Sequence, residues 1–62
     1  MTRTALVKID GNHRVMHYDD YKTNAEFAQE LRANGFKVVK VWAKYLTEDE
    51  TSDWLFMNRK RA

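Results

Sequence analysis

Sixty-two residues, 44% apolar and 32% charged, with a net charge of +2 and no cysteine, specify one small folded domain and exclude disulfides and thiolate metal sites. The charge is unevenly laid: Arg59, Lys60 and Arg61 hold three of the eleven basic residues, and without them nine acids outnumber eight bases. The pI near 9.1 therefore describes a tail rather than a body, which weakens any argument from pI to nucleic acid.

One domain over 1–62 is expected, with a basic tail at 59–62 that frays as chain ends do. A chain of this length buries only about 60% of the surface its unfolded form exposes. With disulfides and metals set aside, self-association is the remaining common route to stability. No apolar run follows Arg3, and nothing approaches the ~18 apolar residues of a membrane span, so a cytoplasmic protein without a membrane partner is expected.

Residues 4–9, TALVKI, alternate as a strand does. Ala5, Val7 and Ile9 share one side; Thr4, Leu6 and Lys8 share the other. Asp10-Gly11-Asn12-His13 then supplies a hairpin turn, with Gly11 and Asn12 as its expected central pair. Counting outward, Ile9 faces Arg14, Lys8 faces Val15, Val7 faces Met16, Leu6 faces His17 and Ala5 faces Tyr18. Ala5, Val7, Ile9, Met16 and Tyr18 form one face of the hairpin; Leu6, Lys8, Val15 and His17 form the other.

The stretch from Thr23 to Phe36, TNAEFAQELRANGF, reads as a helix with both ends marked. Thr23 and Glu26 fit the S/T-x-x-E capping box. Gly35 can take the left-handed backbone that ends a helix, and Phe36 can fold back on Leu31. Phe27, Ala28 and Leu31 form a narrow apolar stripe suited to lying on a sheet, while Gln29, Glu30 and Arg32 face water.

Residues 36–46, FKVVKVWAKYL, are β-branched and aromatic and read as a strand. Strict alternation places Val39, Val41, Ala43 and Tyr45 under the helix, and Val38, Lys40, Trp42 and Lys44 on the far side. Two readings compete for the last segment. Thr47-x-x-Glu50 is a second capping box, with acid early and base late as a helix dipole favours. Against it, Thr51, Ser52 and Asp53 are poor helix formers, and Trp54-Leu55-Phe56-Met57 resembles a strand. The preferred reading is a loop over 47–52 and a strand over 53–59, with a C-terminal helix as the alternative.

The fold class expected is α+β: a single small β-β-α-β-β domain, with one helix on one face of an antiparallel four-stranded sheet of order 2-1-3-4. The uncovered face becomes the candidate site, with Leu6, Val15, Val38 and Trp42 among Lys8, His17, Lys40 and Lys44. Tryptophan is favoured at protein interfaces, though lysine is not. Lysines and a stacking plane on Trp42 also suit nucleic acid, with Arg59, Lys60 and Arg61 adding phosphate contacts. A plainly solvated face is the third reading.

His13 and His17 on a strand sit about 13 Å apart, too far for one ion, so no metal is expected. The acidic run from Glu48 to Asp53 reads as a polar loop, with binding of a basic partner, or mimicry of nucleic-acid phosphates, as the sharper alternatives. Ser52 is the sole serine, and no G-x-S-x-G, P-loop, G-x-G-x-x-G or H-E-x-x-H motif occurs. No enzyme activity, cofactor or small-molecule substrate is expected. The RNA-recognition aromatic pattern, the KH GXXG loop, paired zinc ligands and the helix-turn-helix pattern are also missing. The functional expectation is a non-enzymatic protein-interaction module of regulator or inhibitor type, self-associating, acting through the open face or the fourth-strand edge. Nucleic-acid binding through Lys40, Trp42, Lys44 and the basic tail is the alternative.

Overall fold

The computed structural model describes residues 2–19 and 23–59, Arg59 by its backbone alone. The element order is β1 (Thr2–Ile9), β2 (Asn12–Asp19), α1 (Asn24–Ala33), β3 (Lys37–Trp42) and α2 (Glu48–Arg59). The strands form one antiparallel sheet of order β2-β1-β3. The α+β class and the central place of β1 agree with expectation. Among the described residues there is no fourth strand: the segment expected to form it, 53–59, lies in α2.

The hairpin closes on Asp10 and Gly11, not on Gly11 and Asn12. Both residues have positive φ, 51° and 80°, the requirement of a type I′ turn. Asp enters the left-handed region more readily than most residues because its short polar side chain can bond locally. Ile9 therefore pairs with Asn12, and Ala5 with Met16 rather than Tyr18. The register moves by two residues, which is the side-chain period of a strand, so both predicted faces survive.

Helix α1 forms between its two signals. The Thr23 hydroxyl accepts from the Glu26 amide at 3.0 Å. At the other end Phe36 N–H donates to the Leu31 carbonyl (3.1 Å) and Gly35 N–H to that of Arg32 (3.0 Å), the two bonds of a Schellman ending, with Gly35 at φ +91°. The stripe of Phe27, Ala28 and Leu31 is buried. Phe27 and Leu31 join Ala5 and Val7 in the core, flanked by Met16, Phe36, Val38 and Val41. Tyr18 meets Phe27 edge-on at 5.3 Å. At the rim of this layer Arg3 is buried, and its guanidinium donates to the Asn24 side chain at the start of α1.

The third strand is shorter than expected and irregular. Leu6 pairs with Lys40 but Val7 with Val38, so Val39 is an extra residue in the ladder. This bulge resets the alternation. Val38, expected on the far side, reaches the core under α1 together with Val41, while Val39 is exposed. Ala43 and Tyr45, also expected under α1, lie past the end of the strand and are exposed.

The segment expected as a loop and strand is helix α2. Its capping box is reciprocal: Thr47 N–H donates to the Glu50 carboxylate (3.0 Å) and Glu50 N–H to the Thr47 hydroxyl (3.2 Å). Three acids in the first turn add a favourable interaction with the helix dipole. The poor helix former Thr51 is fully buried, and its hydroxyl returns a bond to the Glu48 carbonyl at 2.8 Å. Local capping thus outweighs intrinsic propensity. Of the tail expected to fray over 59–62, the Arg59 backbone ends α2, and residues 60–62 lie outside the described residues.

Candidate functional site

The sheet face opposite α1 can be laid out from the strand register as three rows across β2, β1 and β3. These are His17–Thr4–Trp42, Val15–Leu6–Lys40 and His13–Lys8–Lys37. The first row is roofed and the last is open.

Polar side chains attach the roof. Thr4, fully buried, donates its hydroxyl hydrogen to the Lys44 carbonyl and accepts from the Leu46 N–H, each at 2.8 Å. His17 Nε2 donates to the Leu46 carbonyl at 2.6 Å, since a carbonyl can only accept. Its ring stacks on Tyr45 at 4.4 Å. Three backbone groups of the segment entering α2 are thereby fixed to the sheet, and Leu46 is buried. Trp42 meets Trp54 of α2 edge-to-face at 5.3 Å. Leu6, in the middle row, is only 2% exposed although it shares the face opposite α1.

Outside this contact lies an open groove of about 430 Å³. Glu50, Asp53, Trp54 and Met57 line one wall; they are spaced i, i+3, i+4 and i+7 along α2 and so share a flank of the helix. Trp42 and Lys44 line the other wall. The volume matches a ligand cleft, but the groove lies open to solvent rather than enclosing a molecule. Phe56 and Met57 are 57% and 60% exposed on the outside of α2.

The residues singled out from sequence scatter over these surroundings. Leu6 is buried and Val38 belongs to the opposite layer, so neither contributes to an accessible surface. His17 is committed to Leu46 and Tyr45. Trp42 and Lys44 come together in the groove. Lys8 and Lys40 fall instead at the open end of the sheet, with half-buried Val15 beside them. Arg59 ends α2, while Lys60 and Arg61 lie outside the described residues. Trp54, Met57 and the acids of α2 were not expected at the site, because a strand over 53–59 separates side chains that a helix puts on one flank. The second capping box was the signal that could have found them. Lys37 was missed because the bulge, which returns it to the side of Lys8, leaves no mark in the sequence.

Among the described residues no group of three His, Cys, Asp or Glu side chains is placed to hold a metal, and no helix is long and apolar enough to cross a membrane. Comparison of the chain with protein-family models, with curated proteins and with solved structures returned no match.

Proposed function

We propose that this chain is a non-enzymatic protein-interaction module that self-associates, and that α2 with its groove is the contact surface. The observation that carries the reading is the exposure of Phe56 and Met57 beside Trp54 on one short helix. Large apolar side chains gathered on one helix of a small domain mark an interaction site more readily than scattered single residues do. Aromatic residues and methionine are also the types enriched at interface centres.

The sheet edge is a poorer surface. β3 is an edge strand carrying Lys37 and Lys40, with a bulge between them, and both features discourage strand addition. Sedimentation equilibrium on the whole chain tests the reading: a monomer–dimer equilibrium supports it, and a monomer up to millimolar concentration overturns self-association.

A second reading has its own observation. Lys8, Lys37 and Lys40 are exposed neighbours on the uncovered end of the sheet, a cluster suited to phosphate groups. Together with Trp42, Lys44 and the basic tail, this keeps nucleic-acid binding as the alternative. Fluorescence anisotropy with labelled single- and double-stranded oligonucleotides decides it. Binding must fall steeply with salt and weaken in Lys37→Glu/Lys40→Glu; salt-insensitive or absent binding ends that reading.

A further inference from the structure

We infer that the outer edge of β2 takes up an extended segment of another protein as an added strand, and that an apolar side chain of that segment seats between β2 and α1. The inference goes beyond the self-association reading and does not depend on it. The edge and its cavity belong to the α1 side of the sheet, and the groove of α2 to the other.

The sheet has two edges, β2 and β3. β3 carries the devices that discourage pairing, a bulge and the lysines Lys37 and Lys40. β2 has neither device. Its eight residues, NHRVMHYD, hold unbroken register with β1 and include no lysine or proline. Its charged residues, Arg14 and Asp19, flank the stretch 15–18. Ile9 and Asn12 close the type I′ turn as a hydrogen-bonded pair, and such pairs alternate along an antiparallel ladder. Asn12, Arg14, Met16 and Tyr18 therefore turn their N–H and C=O groups toward β1. Those of His13, Val15 and His17 point outward, where among the described residues no strand pairs with them. A row of backbone groups with this spacing matches another extended backbone and not a helix, whose own groups are bonded internally.

The cavity beside this edge defines what the added strand carries. The backbone of α1 runs closer to β3 than to β2. The α1 side of β2 is thereby left partly uncovered: Tyr18 is 41% exposed although its ring touches Phe27. A cavity of about 420 Å³ lies there, between Met16 and Tyr18 of β2 and Glu30, Leu31 and Asn34 of α1, with Phe36 completing the lining. A residue added directly opposite Met16 has its side chain on the same side of the sheet, next to this cavity. Met16, Leu31 and Phe36 suit the cavity to a large apolar side chain. A second copy of the chain does not supply one. On the matching side of its own β2 the large apolar residues are Met16 and Tyr18, and Met16 packs on its own core while Tyr18 stands against its own Phe27. The occupant is therefore a segment of a different protein, extended, with an apolar residue where it meets Met16.

Binding of capped threonine–valine peptides about eight residues long, the length of a strand, tests the inference on the unaltered full chain. A central guest residue is varied, and binding is followed by amide NMR shifts. Leucine or phenylalanine as the guest should bind about tenfold more tightly than alanine, and aspartate more weakly still. N-methylation should cost about tenfold at alternate peptide amides and little at those between, because only every second N–H of a strand faces its neighbour. Shifts and slowed exchange should centre on the amides of His13, Val15 and His17, with little dependence on salt. In the protein, Val15→Pro removes an outward N–H and no bond to β1; circular dichroism checks its fold, and it should bind about tenfold more weakly. Peptides that fail to bind at millimolar concentration, or that bind without the guest preference or the alternation under N-methylation, overturn the inference. Shifts confined to 50–57 overturn it too and assign the peptide to the α2 groove. Edge amides already protected in the chain alone, in a concentration-dependent way, make the occupant a second copy and overturn the choice of a different protein. Dimerisation through α2, read by sedimentation, stands or falls without altering any of these results.

Discussion

The two helices cover opposite faces of one sheet by different means. Helix α1 is held by apolar packing: Ala5, Val7, Phe27 and Leu31 leave at most 4% of any side chain exposed. The approach to α2 is held by hydrogen bonds from Thr4 and His17 to three backbone groups, and the helix itself by an edge-on tryptophan pair and a buried threonine. Its own large apolar side chains, Phe56 and Met57, turn outward. The contrast separates a helix that makes the core from a helix that the core presents. Apolar burial is non-directional and sums over area, whereas a few directed bonds fix position with little area removed from water.

The comparison breaks most sharply at Phe27. Phe27→Ala empties the centre of the α1 layer, and such a truncation costs about 3–5 kcal/mol. A domain of this length has a total stability on the order of 5 kcal/mol, so the variant should be largely unfolded at 25 °C. Urea unfolding followed by far-ultraviolet circular dichroism checks this, and a variant that keeps a cooperative native baseline contradicts the assignment of the core.

A smaller effect is expected on the other face. Thr4→Val keeps the shape of the side chain but leaves the Leu46 N–H without its acceptor and the Lys44 carbonyl without its donor. Stranding buried polar groups costs about 1–3 kcal/mol. Both tryptophans of the chain, Trp42 and Trp54, lie on the α2 side, so tryptophan fluorescence reports that face selectively. The emission should change at urea concentrations where the backbone signal is still native. Coincident transitions would mean that the two faces are one cooperative unit and that the distinction between them is only geometric.

Gly35 probes the end of α1. At φ +91° a Cβ meets no heavy atom within 4 Å, so the strain of a substitution is purely one of backbone conformation. Gly35→Val should cost about 1–2 kcal/mol, read as a lower urea midpoint with an unchanged slope. An unaltered midpoint would show that the Schellman ending is not needed to turn the chain into β3.

How far each face could be read beforehand follows from the range of the interactions that make it. Thr23, Glu26, Gly35 and Phe36 act within one helix and its ends, and the helix they predict is the one that forms. Ala5, Val7, Met16 and Tyr18 kept their common face despite the wrong turn pair, since a two-residue register shift preserves side. The bulge at Val39 was not legible: the run Val38-Val39 looks the same with or without it, and the choice is made by what β1 and α1 offer across the sheet. The candidate surface suffered most, because it depends on both the bulge and α2. Trp42 and Lys44 were named in advance, but the groove they line is completed by residues that only a helix over 48–59 could place there.

The least disruptive test applies one substitution to both helices. Thr23 and Thr47 are each followed three residues later by a glutamate, and each hydroxyl accepts from that glutamate's amide. Replacing such a cap by alanine costs about 1 kcal/mol of the helix it begins. Helix α1 cannot loosen without opening the core, so Thr23→Ala should lower the global urea midpoint. Helix α2 can loosen while the α1 layer stays closed, so Thr47→Ala should speed amide exchange over 50–59 roughly fivefold, the factor about 1 kcal/mol allows, and leave exchange over 27–33 nearly unchanged. Hydrogen exchange followed by mass spectrometry resolves the two segments. Equal acceleration in both segments under Thr47→Ala would place α2 within the core unit, and its outward Phe56 and Met57 would then need an explanation other than presentation to a partner.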